Sequence, residues 1–285
     1  MSHKSASSNG GFFAIPDHRV VALEGRDAAR FAQAQFMNDV AALAPGHWQW
    51  NGCLTPKGRV IALFALLKFD DERLWLLLAD ADPDAFAAQL QRFVFRSKVA
   101  IRVGDGLHAG GAFAVPALAR GNAIAEAADG AVELDLGADG GPRALRIANA
   151  PGEDDAGALA RWNAFDLAHG RPRLPGSQVE QWTPQQLSLE WLAAYSVKKG
   201  CYPGQEIVAR THFLGQAKRG LARLATTAAA APGDPVAAEG RELGKVVCGH
   251  GGEALAVLPL QLPDAPLAVG GAACVRVPLL DGLAR

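Results

Sequence analysis

The chain has 285 residues, 49% of them hydrophobic and 20% charged, with a formal net charge of −1. That length lies near the size at which one core gives way to several, and the composition excludes collagen-like, disordered and disulfide-scaffold classes. The balanced charge supplies no overall field for nucleic acid or an anionic membrane, so such binding would need a local patch.

The polar, Ser/Gly-rich start reads as a disordered tail over residues 1–13, without the apolar core of a secretory signal. No later apolar run reaches the ~18 residues of a membrane span, which makes the cytoplasm the expected location. Val20 to Glu24 suits a strand, and Gly25-Arg26-Asp27 leads into a helix with Phe31, Gln35 and Phe36 at helical spacing. Trp48 to Leu54 and Arg59 to Phe69 read as a hairpin around the turn Thr55-Pro56-Lys57-Gly58. A strand at Arg73 to Leu78 precedes Asp82-Pro83, an N-cap and first-turn proline, with Phe86, Leu90 and Val94 on one helical face. Lys98 to Val103 closes this unit as a strand. Residues 104–152 are rich in Gly and Ala, with strand-like pieces only around Ala131 to Leu136 and Ala144 to Ile147. Glu153 to His169 reads as a helix ended by Gly170, and Thr183-Pro184 opens another that carries Leu187 and Trp191. After Lys218 come short β-like stretches, Leu221 to Thr226, Gly244 to Cys248, Ala254 to Leu258 and Ala273 to Val277, which fit a small β-barrel over residues 218–285.

The segment Lys198-Lys199-Gly200-Cys201-Tyr202-Pro203-Gly204-Gln205-Glu206 is the richest in chemistry. Gly200, Pro203 and Gly204 enforce a tight loop, and Gln205 to His212 follows as a helix with Ile207 and Val208 inward. Cys201 therefore stands near a helix start beside two lysines, a setting that favours the thiolate and makes it the candidate reactive residue. The alternative is a small buried hydrophobe in a turn. Cys53, Cys248 and Cys274 lie in apolar β-like runs and are assigned packing. No C-x-x-C pair occurs, and Cys248 with His250 gives only two ligands, so no metal site is expected.

Lys199-Gly200-Cys201-Tyr202-x-Gly204-Gln205-Glu206 resembles the signature of the YgfZ family, relatives of the glycine-cleavage T-protein whose eukaryotic mitochondrial members act in iron–sulfur protein maturation. The resemblance extends to Gln35-x-x-Asn38-Asp39, Pro56-Lys57-Gly58-Arg59, Phe95-Arg96-Ser97-Lys98-Val99 and Leu189-Glu190, over about residues 14 to 280. It implies an α+β fold, with two interleaved subdomains over residues 14–217 and a C-terminal β-barrel over 218–285, around a central cavity for tetrahydrofolate. It further implies a cofactor site containing Glu190, Lys199, Tyr202, Gln205, Glu206 and Arg210. Glu190 resembles the T-protein glutamate that accepts pterin N–H groups; without the resemblance it would read as a solvated surface residue. Lys198, Lys199, Arg210, Lys218 and Arg219 would suit the carboxylates of a folate tail, or form a solvated basic face. Trp182, Trp191, Tyr195 and Tyr202 would suit a flat ring, or the core.

T-protein transferases carry an acidic pair in the hairpin where this chain has Thr55-Pro56-Lys57-Gly58-Arg59. A carboxylate there would steady developing positive charge, which lysine and arginine oppose. Asp70, Asp71 or Asp80 remain as carboxylates that could reach the site. Three readings follow: a folate-binding accessory factor for iron–sulfur client enzymes, with Cys201 as a functional thiol; a folate-dependent one-carbon transferase; and an interaction module without a reactive thiol. By resemblance, the partners are folate and, transiently, the client enzymes. Any link to tRNA methylthiolation would be indirect, with no direct nucleic-acid contact.

Overall fold

The computed structural model describes residues 11–215 and 217–285. The expected tail falls on residues 1–10, outside the described residues, and on Gly11 to Phe13, where order has already begun: Phe13 is buried in a strand. In chain order the first elements are β1 (Phe13–Ala14), β2 (Arg19–Glu24), α1 (Ala28–Gln35), β3 (His47–Leu54), β4 (Val60–Lys68), β5 (Arg73–Leu78), α2 (Pro83–Gln91) and β6 (Ala100–Val103). Then come β7 (His108–Ala112), β8 (Ala125–Glu126), β9 (Val132–Asp135), β10 (Ala144–Ala148), α3 (Ala156–Ala168) and α4 (Gln205–Phe213). The barrel strands are β11 (Arg219–Thr226), β12 (Pro235–Ala238), β13 (Arg241–His250), β14 (Glu253–Pro259), β15 (Leu267–Val269) and β16 (Ala272–Val277).

Two antiparallel sheets, ordered β3-β4-β5-β2-β6 and β1-β7-β10-β9-β8, accompany a closed barrel, β11-β14-β13-β12-β15-β16. The period of two along β4 explains how the units join. Ala62, Phe64 and Leu66 enter the core under α1 and α2 with Phe31, Phe36, Phe86 and Leu90. Leu63, Ala65 and Leu67 enter a central core with Trp48, Trp50, Trp162 and Leu145. The barrel divides its side chains in the same way: Ala254, Ala256 and Leu258 fill its interior, whereas Leu255 and Val257 face the central core. All three units thus converge on one apolar centre. The α2 helix begins as the sequence requires, with Asp82 accepting from Ala85 N at 2.7 Å and proline in the first turn. Asp155 caps α3 through Ala158 N at 2.9 Å.

Candidate functional site

The stretch after Thr183-Pro184 does not form the expected α-helix. Turns lead to a single 3-10 turn, Leu189–Leu192, bracketed by Ser188 at φ 48° and Ala193 at φ 53°. Each left-handed non-glycine residue costs about 1–2 kcal/mol, so something outside must hold them. Ser188 Oγ accepts the Leu221 N–H of β11 at 2.9 Å, and Asn38 Nδ2 donates to the Ala193 carbonyl at 2.7 Å. Both ends of the turn are therefore pinned from other elements. Asn38 also donates to the Trp50 carbonyl at 2.9 Å, so Asn38 of the Asn38-Asp39 pair noted in the sequence acts as a stitch between β3 and this turn.

The pinned turn carries Glu190 and Trp191, both exposed. Tyr195 donates its hydroxyl to Glu190 Oε2 at 3.4 Å. Desolvation raises the Glu190 carboxyl above its ordinary range, against the lowering effect of hydrogen bonds, including that from Tyr195. The Tyr195 phenol is raised by desolvation and by the Glu190 charge, and burial pushes Tyr202 up to about 12, so both remain hydroxyl donors at neutral pH. Trp191 lines a hollow of about 430 Å³ with Leu221, Arg223, Arg276 and Leu279. Arg223 is engaged by Glu253 at 2.7 Å, leaving Arg276, which has no ion-pair partner among the described residues, as the free guanidinium of that hollow.

The signature loop packs on the β3–β4 turn. Gly204, at φ 80°, lies so close that a Cβ there would stand 2.5 Å from the Thr55 carbonyl oxygen. Lys199 is 5% exposed and donates to three carbonyls at the end of α1: Gln33 and Phe36, both at 2.5 Å, and Asn38 at 3.1 Å. Desolvation pushes its ammonium down to about 8. All three N–H groups are engaged, so Lys199 clamps the loop to α1 and does not offer itself to a ligand carboxylate; its expected place among cations at a cavity mouth is corrected accordingly. Gln205 donates to the Lys199 carbonyl at 3.3 Å and is likewise part of the loop's frame. Tyr202 is buried, with its hydroxyl 3.4 Å from the Ser196 carbonyl. Glu206 and Arg210 lie exposed along α4.

Held in this way, Cys201 is exposed, whereas Cys53, Cys248 and Cys274 are buried. Burial pushes the Cys53 and Cys248 thiols up to about 12, and Cys274 is also raised. Lys218 and Arg219 join Arg59, Thr183 and Thr211 around a separate hollow of about 270 Å³, apart from Lys199. Trp182 donates to Gln178 Oε1 at 2.9 Å and packs against the central core.

None of the three reserve carboxylates is free. Asp70 caps the β4–β5 turn through Glu72 N and Arg73 N, both at 2.8 Å, and Asp71 pairs with Lys68 at 2.9 Å. The length of β4, about 30 Å at 3.4 Å per residue, separates that turn from the Thr55–Arg59 turn. Asp80 pairs with Arg173 at 2.6 Å and accepts Leu174 N at 2.9 Å.

Arg173 belongs to a buried charge network that the sequence did not announce. Asp166 lies 2.9 Å from Arg143 and 2.7 Å from Arg171, with all three side chains almost wholly buried. Arg171 stands over the Trp50 ring at 4.7 Å and contacts His18 Nε2 at 3.2 Å, and His18 Nδ1 is 2.9 Å from Asp17. His18 is thereby assigned neutral, donating from Nδ1 and accepting at Nε2. Among the described residues, no group of three or more His, Cys, Asp or Glu could hold a metal ion. No helix among them is long and apolar enough to cross a membrane.

Residues 218–278 match the family model described as CAF17, C-terminal beta-barrel domain. The fold is similar to that of glycine cleavage system aminomethyltransferase T from Bartonella henselae, with a TM-score of 0.71 at 17% identity over 96% of this chain and 85% of that one. The tRNA-modifying protein YgfZ of Cronobacter sakazakii is 29% identical over 74% of this chain and 70% of its own length. The tRNA-modifying protein YgfZ of Vibrio vulnificus strain CMCP6 is 30% identical over 223 residues, covering 74% of this chain and 68% of that protein. A likeness of that extent, resting on the T-protein fold and carrying the signature loop intact, places the chain in the YgfZ family.

Proposed function

We propose that this chain is a tetrahydrofolate-binding accessory protein for the assembly, maintenance or repair of iron–sulfur enzymes, working in the cytoplasm and reaching tRNA methylthiolation through those enzymes. The observation that carries the accessory role is the Thr55–Arg59 turn. Lys57 and Arg59 stand there, Arg59 is bonded to the Gln181 carbonyl at 2.7 Å, and Asp70, Asp71 and Asp80 are all engaged elsewhere. A one-carbon transfer that builds positive charge lacks its carboxylate.

Two features support the folate reading, the Glu190 carboxylate and the hollow that begins at its chain neighbour Trp191. A pterin offers N–H donors, and Glu190 is a carboxylate acceptor oriented by the Tyr195 hydroxyl. Trp191 offers an indole face to the benzoyl ring, and Arg276 a guanidinium to tail carboxylates, in a hollow within the size range of small-molecule sites. When bound, the folate supplies a carrier for one-carbon units. The chain's own residues orient it, and Cys201, on a loop clamped by Lys199, presents a thiol to a client's cluster or sulfur species. The names of the relatives, tRNA-modifying protein YgfZ, support the connection to tRNA.

Complementation of a strain lacking this protein tests the reading, with activity of a cluster-dependent tRNA-modifying enzyme as readout. Wild type should rescue, and Cys201→Ala and Glu190→Ala should not. Turnover of an aminomethyl donor by the purified protein would instead support the transferase.

A further inference from the structure

The net charge of −1 leaves room for a local cluster of cations. Two segments distant in sequence, Gly25 to Arg30 at the start of α1 and Arg92 to Lys98 after α2, are joined edge to edge. Asp27 N donates to the Lys98 carbonyl at 3.3 Å, and Lys98 N donates to Asp27 Oδ2 at 2.7 Å. The approach is tight enough that Gly25, at φ 127°, could carry no Cβ, which would stand 2.3 Å from the Lys98 oxygen. Arg26, Arg30, Arg92, Arg96 and Lys98 are all exposed around this joint. None of their side chains has an ion-pair partner among the described residues, although Arg19, Lys68, Arg73 and Arg102 on neighbouring elements do. Between the cations stand Phe93, 51% exposed, and Phe95, 86% exposed, with the Arg96 guanidinium 5.4 Å from the Phe95 ring centre. Beside them Arg26 and Arg30 rim a hollow of about 640 Å³, walled by Ala29, Leu43 and Pro45, with Gln33 and the Lys68–Asp71 ion pair also on its lining.

Unpaired guanidiniums attract phosphates, exposed rings stack on bases, and a hollow with alanine, leucine and proline walls and polar groups at its edge can accept one unstacked base by contact and hydrogen bonding. An anionic bilayer would use the cations and the rings but has no use for the hollow, and an acidic protein segment has no use for two bare phenylalanines. We propose that this face binds a single-stranded segment of RNA, with Phe93 and Phe95 as the stacking platform and the five cations as the phosphate track. The choice of RNA over DNA rests on the relatives' name, tRNA-modifying protein YgfZ, and adds a direct contact to the link through client enzymes proposed above, while the single-stranded character rests on the patch alone. The hollow shares Gln33 with the Lys199 clamp, so this face and the Cys201 loop are braced by the same helix.

Fluorescence anisotropy with a labelled RNA hairpin bearing an unpaired loop tests the proposal, using the full chain. Wild type should bind, and duplex RNA and single-stranded DNA of matched length should bind less tightly. Phe93→Ala/Phe95→Ala should weaken hairpin binding at least about tenfold, the loss expected when base stacking is removed. Arg26→Gln/Arg30→Gln should make the slope of log affinity against log salt shallower by roughly 1.4, the share of two phosphates on a single strand. These positions are exposed, so each variant should keep the wild-type circular dichroism and tetrahydrofolate titration, which separates failure here from failure of the folate reading. No hairpin binding by wild type, equal affinity in the Phe93/Phe95 variant, equal binding of DNA, or preferential capture by phosphatidylserine vesicles would each overturn the proposal.

Discussion

The Lys199 ammonium lies 2.5 Å from the Phe36 carbonyl oxygen, across 163 positions of chain, and this contact fixes the loop that presents Cys201. Replacing Lys199 with Met should remove three charge-assisted hydrogen bonds and leave buried carbonyls without donors. A loss of about 3 kcal/mol is expected in urea unfolding, together with greater mobility of residues 198–204 in hydrogen exchange. An unchanged unfolding midpoint would show that the clamp contributes nothing.

The four cysteines should separate cleanly by reactivity. A small alkylating reagent should modify Cys201 alone in the folded protein, since Cys53 and Cys248 are buried with thiols near 12. Mass spectrometry after denaturation should then find the remaining three free. Rapid modification of Cys248 under native conditions would contradict its place behind Arg173.

The signature loop, the hairpin, α1 to α3 and four of the barrel strands were legible because their apolar periods, caps and turn residues agree with one another. Other parts were not, for identifiable reasons. The strand His108–Ala112 contains two glycines and has little β propensity of its own; it is a strand because Phe13 and Trp162 close over Gly111. The helix expected after Pro184 fails because Ser188 takes a left-handed backbone to meet Leu221, a partner 33 positions away that no local pattern encodes. Lys199 reads as a surface cation beside Lys198, and only the end of α1 reveals it as a clamp. Asp166 likewise sits on a helix where a polar residue usually marks the solvent face, and its two arginines come from the residue just before β10 and the loop after α3.

Substituting Asp166 with Asn would leave Arg143 and Arg171 buried with no countercharge. Breaking such a network from one side costs about 3–5 kcal/mol, so this variant should be among the least stable single substitutions by thermal or chemical unfolding. A loss below 1 kcal/mol by the same measurement would mean that water reaches the arginines.

His18 sets a pH window. Its folded pKa is lowered from 6.5, mainly by desolvation and also by the Arg171 and Arg173 charges, against the opposing Asp17. Between that lowered value and 6.5 the unfolded chain binds a proton that the folded chain refuses, so stability falls as pH drops through this window and levels off below it. His169, lowered chiefly by desolvation, acts in the same direction. Each histidine contributes a slope of up to about 1.4 kcal/mol per pH unit. Urea midpoints measured from pH 7.5 to 5 should decline in wild type and decline less in His18→Gln; parallel curves would remove His18 from the account.

The most direct measurement is calorimetric titration of tetrahydrofolate into wild type and Glu190→Gln. Saturable one-site binding is expected for wild type, weakened about 10- to 100-fold in the variant by loss of charge-assisted hydrogen bonds to the pterin. Equal affinity in the two proteins, or no binding by folded wild type, would contradict the folate site centred on Glu190.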